Sequence, residues 1–119
     1  MKIKEIKEIL DAKILCGEEQ LETEVFSACG SDMMSDVLAF VKEQGILLTG
    51  LVNPQTVRTA MMMDMKAIVF VRGKKPDENV VSLASENSIA ILTTDYRLYT
   101  ACGLLYKAGL YTDGSDKVE

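Results

Sequence analysis

Three short runs that are apolar almost throughout limit what this chain can become: Ile46-Leu47-Leu48-Thr49, Ala67-Ile68-Val69-Phe70-Val71 and Ser88-Ile89-Ala90-Ile91-Leu92. A strand with no polar side is covered on both faces, which is the situation inside a mostly parallel sheet. The segments between these runs carry helix signals. Asn53-Pro54 supplies a cap followed by proline at the first helical position, where its missing N–H costs nothing. Asp77 or Glu78 opens a second helix that runs to about Glu86, and Tyr96 to about Ala108 forms a last one stopped by Gly109. Strand and helix thus alternate with short connections from residue 46 onward. That is the pattern of an α/β domain, here a single-domain sandwich whose mostly parallel sheet is flanked by helices.

The first part of the chain fits the same plan. Ile3, Ile6, Ile9 and Leu10 form one face of a helix over residues 2–12, with Lys4 and Glu8 spaced to pair on the other. Lys13-Ile14-Leu15-Cys16 is a short strand closed by Gly17, and the acidic stretch Glu18 to Glu24 is expected to be a solvated loop. Val25 to Cys29 is expected as the second strand. Gly30-Ser31-Asp32 then turns into a helix from Ser31 to about Gln44, with Ser31 or Asp32 as cap and Gly45 at the far end. On that helix Ser31-Asp32 and Ser35-Asp36 would share one side, opposite apolar residues at 33, 34, 37, 38 and 41. Residues 1–111 are expected to form the domain and 112–119 a polar tail.

Composition narrows the function classes. A chain of 119 residues with 48% apolar residues is large enough for one buried core. Its net charge of −5 is the wrong sign for a general nucleic-acid binder. No apolar run is long enough to span a bilayer, and the N-terminus lacks a signal-peptide core, so a soluble cytoplasmic protein is expected. The absence of histidine removes the commonest general base and every Ser-His or Cys-His pair. Cys16, Cys29 and Cys102 stand apart in sequence and are expected to be reduced thiols that pack as small hydrophobes. The run Met61-Met62-Met63-Asp64-Met65 is best read as a helix with most of its methionines in the core; Val57, Ala60, Met61 and Met65 are expected to face inward.

Ligands of open α/β sheets collect outside the carboxyl ends of the strands. Here those ends carry Ser31, Asp32, Ser35 and Asp36, then Thr49 and Gly50, then Arg72, Gly73, Lys74 and Lys75, and finally Thr93, Thr94 and Asp95. Two readings compete for the basic loop: Arg72, Lys74 and Lys75 pair with a phosphate beside the next helix N-terminus, or they simply solvate the loop. Neither GxGxxG nor GxxxxGK[ST] is present. Asp32, Asp36 and Asp95 are weighed as a magnesium site, but helix capping accounts for such residues without a metal. No catalytic residue, metal ligand or cofactor is assigned.

Three segments carry a family resemblance. Ser31-Asp32-Met33-Met34-Ser35-Asp36-Val37, the turn Lys75-Pro76-Asp77-Glu78-Asn79 after the strand at Ile68, and Ile91-Leu92-Thr93-Thr94-Asp95 resemble stand-alone DRTGG-domain proteins. The resemblance covers residues 1 to about 110. It implies an α/β sandwich similar to the N-terminal domains of HPr kinase/phosphorylase and of Mur ligases. It also implies a regulatory or dimer-forming role of the kind the domain has beside CBS domains in family II pyrophosphatases. Where the name-giving Thr-Gly-Gly would lie, the chain has Val71-Arg72-Gly73, and Leu51-Val52-Asn53 replaces the Asp-Arg element after Gly50. The expectation is therefore a non-enzymatic regulatory or protein-interaction module, as a homodimer. The alternatives are an adenine-nucleotide or other phosphate-ligand sensor using the loop from Arg72 to Lys75, and an accessory subunit docked on a larger redox or acyl-phosphate enzyme.

Overall fold

In the computed structural model, residues 1–40 and 45–111 are described. Eleven elements follow one another: α1 (Ile3–Ile9), β1 (Lys13–Cys16), a 3₁₀ turn (Glu18–Gln20), β2 (Ala28–Gly30), α2 (Met34–Phe40), β3 (Ile46–Thr49), α3 (Pro54–Met62), β4 (Ala67–Phe70), α4 (Glu78–Glu86), β5 (Ala90–Thr93) and α5 (Leu98–Lys107). The sheet order is β1-β5-β4-β3-β2. Strands β2 to β5 are mutually parallel and β1 is antiparallel to β5, with a bulge between Ile14 and Cys16. This is the expected mostly parallel sheet flanked by helices.

Alternation along the strands builds two cores. Ile46, Leu48, Ala67, Val69, Ala90 and Leu92 face α1 and α5, where Ile3, Ile6, Leu10, Ala101 and Leu105 meet them. Leu47, Ile68, Phe70 and Ile91 face the other way, onto Met34 and Val37 of α2, Val57 and Ala60 of α3, and Val80 and Ala84 of α4. Strands β2, β3, β4 and β5 succeed one another across the sheet, and right-handed crossovers put all three connecting helices on one face. After β5 the chain changes face again, when α5 crosses to join α1 on the side opposite α2, α3 and α4.

Several local expectations are corrected. The second strand spans Ala28–Gly30 rather than starting at Val25, because Val25 takes its backbone partner from Met1 (Val25 N–H to Met1 C=O, 2.8 Å). Helix α2 starts at Met34 rather than Ser31: Ser31 N–H still continues the parallel ladder, donating to Leu48 C=O at 3.0 Å. The Ser31-Asp32 pair thus precedes the helix, and the two Ser-Asp pairs do not share a helical face. The helix end expected near Gln44 and the tail 112–119 lie outside the described residues.

Asn53 caps α3 as expected, accepting from Thr56 N–H at 3.2 Å, and Asp77, one of the two residues offered as the start of the next helix, caps α4, accepting from Val80 N–H at 3.1 Å. Met65 is buried, but Met61 and Met62 are exposed, since α3 turns its Val57 and Ala60 side to the sheet. Lys4 pairs with Glu22 at 2.9 Å, not with Glu8, and Lys2 reaches the other oxygen of Glu22 at 2.8 Å. The acidic stretch is therefore a clasp on α1 instead of a plain solvated loop. The hydrogen bond from Lys2, then that from Lys4, lowers the Glu22 pKa to about 2.

Candidate functional site

The four parallel strands end in step, with Thr49 opposite Phe70 and Phe70 opposite Thr93. Their following loops therefore form one row along the carboxyl edge, as the strand pattern led one to expect. Asp32, after β2, turns its carboxylate onto the end of β3. Its Oδ1 accepts from the hydroxyl of Thr49 at 2.9 Å and from Gly50 N–H at 2.7 Å. Thr49 in turn accepts from Leu51 N–H at 3.1 Å. Asp32 thus does not cap α2; its Oδ1 braces the end of β3, and the residue stays exposed. Ser31 makes the local turn instead, its Oγ accepting from Met33 N–H at 3.0 Å.

Gly50 is buried, and a Cβ there would collide with the Arg72 guanidinium, which lies over the glycine. Arg72 itself is exposed and forms no ion pair among the described residues. Arg72 and Gly73 both have left-handed backbone, with φ of 62° and 68°. That geometry points their N–H groups at the neighbouring loop: Arg72 donates to Tyr96 C=O at 2.8 Å and Gly73 to Thr94 C=O at 2.9 Å.

These two bonds decide what the edge can do. The helices after β4 and β5 leave for opposite faces of the sheet, so the crevice between these two strands is the place where a doubly wound sheet admits a ligand. Here the crevice is laced shut by backbone hydrogen bonds. The N–H groups of Arg72, Gly73 and Lys74 are engaged within the loops, and the α4 N-terminus carries Asp77 as its cap and Glu78 in its first turn. The side chains of Arg72, Lys74 and Lys75, on which the phosphate reading relies, are exposed.

Thr94 is also structural. Its buried hydroxyl donates to Leu10 C=O at 2.6 Å, and its Oγ1 accepts from Tyr96 N–H at 3.3 Å. Since α5 starts at Leu98 with Arg97 before it, neither Thr94 nor Asp95 caps that helix. Thr93 is buried, Asp95 lies against Gly73, and Ser35 and Asp36 are exposed on α2. Among the described residues, no group of three acidic or thiol side chains is placed to hold a metal ion.

The surface that sequence reasoning missed is the outer side of α5. Tyr99 is 92% exposed and Tyr106 54%. With Cys102, Gly103 and Leu104 they line an open groove of about 610 Å³. A second, smaller cavity of about 220 Å³ lies between Gly30, Cys102, Tyr106 and Tyr111. The signal was present: α5 has apolar residues on both sides, Ala101 and Leu105 inward and Tyr99 and Tyr106 outward, more than one buried face requires. The three cysteines form no disulfide and are half-buried, and burial pushes the Cys16 and Cys102 thiols up.

The sequence pattern of the DRTGG domain matches residues 5–108. The chain belongs to the DRTGG domain family. No curated protein matches it. Among solved structures, this DRTGG domain is similar to the CBS and DRTGG domains of the regulatory region of Clostridium perfringens pyrophosphatase, crystallised with its activator diadenosine tetraphosphate. The identity is 19% and the TM-score 0.72, over 98% of this chain and 55% of that one. The likeness supports the fold, and the DRTGG domain here spans about half of that regulatory region. Among the described residues, no helix is long and apolar enough to cross a membrane.

Proposed function

We propose that this DRTGG domain is a non-enzymatic regulatory module that acts through protein contacts and self-associates as a homodimer. The observation that carries the reading is the closed carboxyl edge. Asp32 is engaged by Thr49 and Gly50, and the crevice between β4 and β5 is occupied by the bonds of Arg72 and Gly73. A domain whose strand-end polar groups serve each other has its large unpartnered surface elsewhere, on exposed aromatic side chains. The place of the similar fold in a pyrophosphatase's regulatory region agrees with this role. Docking on a larger enzyme is the same mode of action with a different partner.

A second reading has its own support. Arg72 stands exposed over Gly50, with Lys74 and Lys75 following, so a phosphate ligand gripped by side chains alone fits the edge. Thermal unfolding with adenine nucleotides, NAD and acetyl phosphate separates the two. The contact reading expects an unchanged midpoint. A ligand held by the folded state at a hundredfold excess over its Kd would add about 2.7 kcal/mol, and such a shift would replace the first reading with the second.

A further inference from the structure

We propose that two copies of the domain pair through the outer face of α5 (Leu98–Lys107), antiparallel about a two-fold axis at Gly103; this rests on the self-association proposed above. Tyr99, Cys102, Gly103 and Tyr106 follow the spacing i, i+3, i+4, i+7, so they share one side of the helix, opposite the buried Ala101 and Leu105. Gly103 occupies the middle of that side. Glycine is a poor helix former, and nothing among the described residues calls for it: a Cβ at this position would meet none of their atoms within 4 Å. The glycines at 17, 45 and 50, by contrast, each have a neighbour that a Cβ would strike. A second helix laid across Gly103 supplies the missing reason, because a bare Cα lets two backbones approach closely.

The face is self-complementary. Tyr99 and Tyr106 lie about 5 Å along the axis on either side of Gly103. In an antiparallel pair, Tyr99 of one protomer therefore lies against Tyr106 of its partner, and the same contact recurs across the axis. The exposed tyrosines supply part of the area. Tyr99, Tyr106 and Tyr111 are 92%, 54% and 52% exposed, which amounts to roughly 400 Å² of ring surface. That is about half of the ~800 Å² per partner that a stable interface buries. Thr100, Leu104 and the stem of Lys107, which border the same groove, extend it further.

Charge favours this face over the rest of the surface. The chain carries −5, so two copies repel over most approaches, but among the described residues those lining the groove include no carboxylate and one cation, Lys107.

The test uses the full chain and two variants. Tyr99→Glu places a carboxylate on the face at a side chain that supports nothing in its own fold, and circular dichroism checks that the fold is retained. Sedimentation equilibrium should give a dimer for the wild type and a dimer Kd weakened at least about tenfold in Tyr99→Glu. Under mild oxidation, Gly103→Cys should form a disulfide-linked dimer that the wild type, with Cys102 turned toward Gly30, does not form. A wild-type dimer that survives Tyr99→Glu, with Gly103→Cys failing to cross-link, would overturn α5 pairing and leave self-association to another surface. A wild type that is monomeric throughout would overturn both.

Discussion

The carboxylate of Asp32 accepts the N–H of Gly50 at 2.7 Å, tying the loop after β2 to the residue after β3. The same oxygen takes the hydroxyl of Thr49, a residue with no exposed surface. Removing the acceptor strands both donors, so Asp32→Ala should cost about 1–3 kcal/mol in urea unfolding. Asp32→Asn keeps an oxygen in place and should cost clearly less. Equal losses in the two variants would show that the negative charge, not the acceptor, holds the edge together.

The glycines should rank by what a Cβ would strike. Gly17 has φ of 86° and sits on the backbone of Ala90, so Gly17→Ala meets strain and a collision that cannot relax, and should lose about 2 kcal/mol or more. At Gly50 the obstacle is the tip of Arg72, which can swing away, and Gly50→Ala should cost under about 1 kcal/mol. Denaturation midpoints in the reverse order would contradict the packing described for the carboxyl edge.

Thr59 is fully buried in α3 and its hydroxyl has no hydrogen-bond partner among the described residues. Thr59→Val preserves the shape and removes an unsatisfied group, so it should stabilise the domain by about 1 kcal/mol. The check is a higher urea midpoint with an unchanged slope; a loss of stability would mean the hydroxyl has a partner in solution.

Glu22 gives the account a pH signature. Its pKa is lowered from 4.5 to about 2, first by the hydrogen bond from Lys2 and then by that from Lys4. A carboxyl depressed in the folded state contributes stability above its unfolded pKa and loses it as pH falls through the folded value. The wild type should therefore exceed Glu22→Gln in thermal midpoint at neutral pH, with the gap closing between pH 4.5 and about 2. Because the group is fully exposed, the gap should be small and shrink with added salt. A gap that persists below pH 2 would rule out this origin.

The layered plan was legible in the sequence because the strands β3, β4 and β5 are apolar on both faces, and a strand of that kind has one setting. Asn53 was legible as a cap because capping is local, a matter of three residues. Asp32 looked the same locally but is settled by Thr49 and Gly50, which are remote in sequence and adjacent only once β2 and β3 pair. The row of strand ends was foreseen, but its closure was not, since nothing local shows that Arg72 and Gly73 would both take left-handed backbone and face Tyr96 and Thr94. Met61 and Tyr99 show another limit: helical spacing identifies two faces of a helix, but not how much of each the fold will cover.

The proposed action of the DRTGG domain is contact between protein surfaces, beginning with its own copy. Sedimentation equilibrium of the full chain at micromolar concentration tests it most directly. The account predicts a species of twice the chain mass of 13.1 kDa, dissociating as the solution is diluted. A mass of 13.1 kDa at every concentration would contradict it.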